Sequence, residues 1–135
     1  MATQRERSEE RITELANLTE GWLDGYGAAP IDTQSVQSAR EFAAALPEGM
    51  HEFFGIYPTE QGGIQFESAF HEHRTPSYYE VEITPDGKFT VRKIILLIED
   101  LSEESDYEGT FDDADSACTQ LKELLGDKLL NIPVY

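Results

Sequence analysis

Between Phe53 and Ile98 the side chains alternate with a period of two, and that pattern restricts the middle of the chain to a sheet with one apolar face. Phe53 to Thr59 reads as a strand with Pro58 near its end. Beyond the Gln61-Gly62-Gly63 turn, Ile64, Phe66, Ser68 and Phe70 alternate with Gln65, Glu67 and Ala69. His71 to Ser77 reads as a polar loop. Tyr79, Val81 and Ile83 then alternate with Tyr78, Glu80 and Glu82. Pro85-Asp86-Gly87 is a hairpin turn: proline presets its own φ, aspartate bonds its own backbone, and glycine accepts positive φ. Phe89, Val91 and the run from Lys93 to Ile98 form the last strand. Four strands joined by short turns predict an antiparallel meander whose apolar face needs a cover.

Helical spacing on either side supplies that cover. Residues 3–18 read as a helix with a narrow stripe of Ile12, Leu15 and Leu18. Its first turns are wholly polar, so residues 1–10 are expected to fray. A second helix runs from Thr33 to Leu46, capped by Asp32 or Thr33. Val36, Ala39, Ala43 and Leu46 recur at helical spacing, with Phe42 beside them. Asp112 or Asp113 caps a third helix, with Ala114, Ala117, Cys118, Leu121, Leu124 and Leu125 on one stripe. Gly126 ends it, and the apolar tail Leu129 to Tyr135 is expected to dock. The expected class is α+β: a four-stranded antiparallel meander covered by helices, with an acidic loop and a C-terminal helix. The 135 residues fit one domain, with a core over 12–98, an acidic segment over 99–115, and the last helix and tail over 112–135.

Charge is the second constraint. The chain has 27 acidic and 10 basic residues, for a formal net charge of −17. More than half of that excess falls in residues 99–115, which hold nine acids and no base: Glu99, Asp100, Glu103, Glu104, Asp106, Glu108, Asp112, Asp113 and Asp115. Such a block repels itself, so it reads as a solvated loop. Nucleic acid and membrane surfaces are polyanions, so direct binding to either is not expected. A basic protein surface is the natural partner, with Tyr107 inside the block as an aromatic anchor. The bland alternative is a solvated segment that only keeps the protein in solution.

Other constellations are weaker. His71 and His73 flank Glu72; residues two apart on a strand share a face, so two imidazoles plus Glu67 or His51 would make a metal site. Arg74 opposes a cation there, and exposed histidines are the simpler reading. Glu80 and Glu82, with Glu67 on a neighbouring strand, look like a solvated sheet face rather than an acid–base pair. The acidic block lacks the spacing of a calcium-binding loop. Gly25-x-Gly27 and Gly62-Gly63 are turns, not phosphate loops. The single cysteine, Cys118, excludes a disulfide framework and a cysteine-based zinc cage, and reads as a small buried hydrophobe. No cofactor and no enzymatic chemistry are expected. The charged stretch Met1 to Glu14 lacks an apolar signal core, and no apolar run approaches a membrane span, so the expected location is the host-cell cytoplasm.

Two stretches carry a resemblance. Gly21-Trp22-Leu23-Asp24-Gly25-Tyr26-Gly27-Ala28-Ala29-Pro30, followed by a helix, is one; Tyr57-Pro58-Thr59-Glu60-Gln61-Gly62-Gly63-Ile64-Gln65-Phe66-Glu67, followed by the Tyr79-to-Asp86 strand and turn, is the other. Together they resemble a family of small acidic bacterial and phage-encoded proteins of uncharacterised function, over roughly residues 12 to 93. Members often carry an aromatic after the strand glutamate, where this chain has Ser68. Small acidic phage-type proteins of this kind resemble anti-CRISPR and other anti-defence proteins. The expected function is therefore an inhibitor that occupies a basic nucleic-acid-binding surface of a host defence protein, such as a CRISPR-Cas effector, through the acidic block. An antitoxin-like or immunity-like partner using Leu129 to Tyr135 or the sheet edge is the alternative, and a metal enzyme at His71 and His73 is a third. A strand edge or the first helix also offers a surface for a homodimer.

Overall fold

The computed structural model describes residues 3–18, 30–47, 50–51, 54–72, 75–97 and 102–125. Three helices and five strands follow in the order α1 (Gln4–Ala16), α2 (Thr33–Ala45), β1 (Gly55–Pro58), β2 (Ile64–Glu72), β3 (Thr75–Ile83), β4 (Phe89–Leu97), β5 (Ser102–Phe111) and α3 (Ala114–Leu125). The sheet order is β1-β2-β3-β4-β5, with every neighbouring pair antiparallel. The fold is α+β, as the alternation and the helical stripes require. Among the described residues, no helix is long and apolar enough to cross a membrane.

The sheet has five strands rather than four, and the extra one is made from the acidic segment. Residues 102–111 pair with β4 in place of the expected loop. One cross-strand cation offsets one acid of the strand: Arg92 stands opposite Glu108 and donates to it, whereas Glu103 and Glu104 stand opposite Leu96 and Ile95. Charge repulsion within a segment is a local property, whereas cross-strand neutralisation comes from residues some sixteen positions away. Tyr107, Thr110 and Phe111 add side chains that suit a pleated surface. A register shift between Lys93 and Ile94 leaves Asp106 as the extra residue of a β-bulge. The expected His71-to-Ser77 loop is also shorter than the sequence suggests. Strand pairing runs on to His71 with Pro76 and Glu72 with Thr75, so β2 and β3 form one long hairpin.

The inner sheet face and the three helices share one hydrophobic core. Phe42 of α2 is its hub. Its ring meets Phe66 of β2 edge-on at 5.0 Å between centroids and stacks on Phe89 of β4 at 6.2 Å. Ile56, Ile64, Val81, Ile83 and Val91 complete the sheet side; Ile12, Leu15, Ala39, Leu121 and Leu125 complete the helix side. Ser68, where the resembled family often has an aromatic, is buried on this inner face opposite Tyr79.

The helix ends follow the expected chemistry. Asp32 caps α2 by accepting from the Gln34 amide at 2.8 Å. Asp113 caps α3 by accepting from the Ser116 amide at 2.7 Å and the Ser116 hydroxyl at 2.9 Å. These bonds, the amide first, hold the Asp113 carboxyl below its ordinary value. From Thr3 onward the polar start of α1 is helical and makes capping and tertiary contacts. Thr3 caps the helix, and Arg5 donates to the Leu46 carbonyl at 2.8 Å.

The two predicted turns also form. Gly87 adopts a φ of 82° between Thr84 and Lys88, which exchange a 3.0 Å backbone bond. In the Pro58-Thr59-Glu60-Gln61-Gly62-Gly63 motif, Thr59 and Gly63 are joined by a backbone bond of 3.0 Å, and the Thr59 hydroxyl accepts from the Gly63 amide at 2.9 Å. A Cβ at Gly63 would run into the Ile83 carbonyl, so the glycine allows the turn to close onto β3. Gly62 in turn accepts from the Asp32 amide at 2.9 Å, tying the motif to the start of α2.

Candidate functional site

β5 is an edge strand of ten residues, the longest in the sheet. Among the described residues no strand pairs with its far side. It carries Glu103, Glu104, Asp106 and Glu108 and no base. An edge with unpaired backbone groups is a docking template, and like charges along it discourage a second copy from adding on. At about 3.4 Å per residue, the four carboxylate positions from 103 to 108 span about 17 Å.

The nine acids expected to act together do not share one environment. Glu103, Glu104 and Asp106 lie on β5; the first two stand opposite Leu96 and Ile95, and Asp106 is the bulge residue with no register partner. Glu108 reaches the outer sheet face and accepts from Arg92 Nε at 3.2 Å. Asp112 is ion-paired with Lys88 just beyond the strand, which raises the lysine above its ordinary value. Asp113 is a helix cap, and Asp115 is exposed in the first turn of α3. Glu99 and Asp100 lie outside the described residues. Tyr107 is half-buried and packs against the core, with its ring lying over Gly109. The edge strand thereby covers its own glycine with a neighbouring aromatic.

The outer face adds carboxylates that were expected only as a solvated surface. Arg92 donates to Glu82 at 2.9 Å and lies 3.6 Å from Glu80, so β3, β4 and β5 are tied through one guanidinium. Partial burial pulls that guanidinium down, but hydrogen bonding to Glu82 and Glu108 outweighs it and holds it above its ordinary value. Glu67 sits opposite Glu80 in the register and accepts from Gln65 at 3.1 Å. Three carboxylates therefore surround one cation, with Glu67 beside them on β2, and this cluster stays net negative.

Other expected sites fare differently. His71 is placed only by its backbone on β2, and His73 lies outside the described residues, as do residues 21–29 of the first motif and the tail 129–135. Among the described residues no three His, Cys, Asp or Glu side chains gather as a metal-ligand set. Cys118 is buried, and its thiol donates to the Ala45 carbonyl at 3.5 Å. Burial pushes the thiol up from its ordinary value.

A second feature carried no sequence signal. His51, weighed only as a spare metal ligand, is buried against α1, where its Nδ1 lies 2.8 Å from Ser8 Oγ. Its Nε2 lies 3.3 Å from the Leu46 carbonyl. A carbonyl only accepts, so in the neutral imidazole Nε2 carries the proton and Nδ1 accepts from the Ser8 hydroxyl. This pair floors a groove of about 300 Å³ between α1 and β1, whose rim includes Arg7, Arg11 and Tyr57. Ser8 and His51 are 43 positions apart, and no local pattern links them.

No protein-family model, no curated protein and no solved structure matches this chain.

Proposed function

We propose that the protein binds a cationic, nucleic-acid-handling surface of another protein through β5 and the outer sheet face, and so blocks that surface. The resemblance to small acidic phage-type proteins supports a host defence effector, such as a CRISPR-Cas effector, as the target. The observation that carries the reading is the edge position of β5: its acids are presented on a strand that the rest of the sheet holds in place. Ordering the backbone that carries them beforehand lowers the entropy that binding would otherwise cost. The spacing sets the scale of the mimicry. Four carboxylate positions over about 17 Å give an acid every ~6 Å, with Glu108 already offset by Arg92, against one phosphate per ~3.4 Å along a single nucleic-acid strand. Such a ridge can engage a row of lysines and arginines, and its field speeds encounter more than it deepens affinity.

The experiment has two stages. The protein is immobilised, host lysate is passed over it at low and high salt, and a retained nucleic-acid-binding protein is purified. That protein's binding to duplex DNA is then measured with increasing amounts of the acidic protein. The expected result is competition that weakens steeply with salt and is lost in Glu103→Lys/Glu104→Lys/Asp106→Lys. Equal competition by the parent and the folded triple variant would overturn the reading. Loss of binding on deleting residues 129–135, with charge reversal harmless, would point instead to an antitoxin-like contact through the tail.

A further inference from the structure

We propose that the groove between α1 and β1 binds a small organic anion, a phosphate or carboxylate head on an apolar body. The site lies at β1, the opposite edge of the sheet from β5, so it is independent of the function proposed above.

Charge makes the groove conspicuous. The chain has 27 acids to 10 bases, yet among the described residues this groove is lined by Arg7 and Arg11 and by no carboxylate. The two arginines are four apart on α1, so they stand one turn apart on the same helix face, where like charges repel. Arg11 is fixed in place: its Nε donates to the Ile56 carbonyl at 3.0 Å, and an outer nitrogen donates to Glu14 at 3.1 Å. The Arg7 guanidinium makes no hydrogen bond or ion pair with a described residue, and it is exposed at the rim. One cation is thus preorganised and the other is free to close on an anion. A planar guanidinium with paired donors suits phosphate and carboxylate oxygens.

The rest of the lining defines the body of the ligand. Tyr57, 49% exposed, is the one large hydrophobic side chain left open among the described residues. Together with Ile56 it gives the groove an apolar wall beside the guanidinium groups. The Ser8 hydroxyl, bonded to His51, lies in the floor. A volume of about 300 Å³ falls at the lower end of the range for small-molecule sites, which suits a compact ligand.

Phenyl phosphate, benzoate, inorganic phosphate and benzyl alcohol, titrated separately into the ¹⁵N-labelled full chain, test this. Phenyl phosphate or benzoate is expected to give saturable amide shifts confined to the groove, at Ser8, Arg11, Ile56 and Tyr57. Arg7→Ser is expected to weaken that binding by about tenfold or more. Lys122→Ser, which removes one positive charge on α3, should leave it unchanged. Benzyl alcohol, with no anionic head, should not saturate. Three results would overturn the proposal: no saturable shift with either aromatic anion, equal binding by the Arg7→Ser and Lys122→Ser variants, or inorganic phosphate binding as tightly as phenyl phosphate.

Discussion

Arg92 on β4 donates to Glu108 on β5 at 3.2 Å, and this bond fastens the acidic strand to the sheet. The same guanidinium donates to Glu82, so one residue offsets carboxylates from two strands. Arg92→Gln is expected to destabilise the fold by about 1–2 kcal/mol, because it leaves partly buried carboxylates facing each other. The loss should shrink in high salt, which screens the repulsion that remains. Urea unfolding at two ionic strengths checks both points, and amide exchange should rise first in β5.

Gly63 stands where a side chain has no room. A Cβ there would meet the Ile83 carbonyl and lie 2.9 Å from the Thr59 hydroxyl. Gly63→Ala is expected to open the turn and lower the melting midpoint by more than Gly109→Ala. At Gly109 the obstacle is the Tyr107 ring, a side chain that can move aside. Thermal melts of the two variants give the comparison directly.

Cys118 is expected to be chemically silent in the native state. Burial raises its pKa, and the reactive species is the thiolate. A thiol-specific chromogenic reagent should react slowly with the folded protein and at the ordinary rate in denaturant. Fast native reaction would show that α3 opens readily from α2.

The pH response of the α3 cap has a definite sign. The folded Asp113 carboxyl lies below its ordinary value of 3.8, so its contribution is present above that value and disappears as pH falls through the lower folded one. Asp113→Asn keeps a capping oxygen but does not titrate. The parent should therefore be more stable than the variant near neutrality, with the gap closing below about pH 4. Lys88 behaves oppositely. Its pairing with Asp112 raises it above 10.5, so that contribution is lost only at strongly alkaline pH. Parallel melts from pH 3 to 11 on parent and variant resolve the two limbs.

Local chemistry was legible and long-range chemistry was not. Asp32 and the stripe around Phe42 identify α2 because caps and helical spacing lie within a few residues of what they act on. Pro85-Asp86-Gly87 identifies its turn for the same reason. The β5 strand was hidden because residues 99–115 contain no base, and their neutralising partners, Lys88 and Arg92, belong to the preceding hairpin. Ser8 with His51 was hidden for a like reason: Ser8 looks like part of a polar, loosely held start until a residue 43 positions away meets it. Within the acidic block, sequence placed the α3 cap at Asp112 or Asp113 but could not choose between them, because Asp112 is drawn away by Lys88, 24 positions back in the chain.

The linear strand order also bears on synthesis. Each strand pairs only with its neighbours in the chain, so a nascent polypeptide can extend the sheet one strand at a time as it leaves the ribosome. β5 is the last strand to be made, so β4 is able to pair with β3 before it. The topology thus offers the most highly charged segment a template already in place, so that it need not nucleate structure by itself.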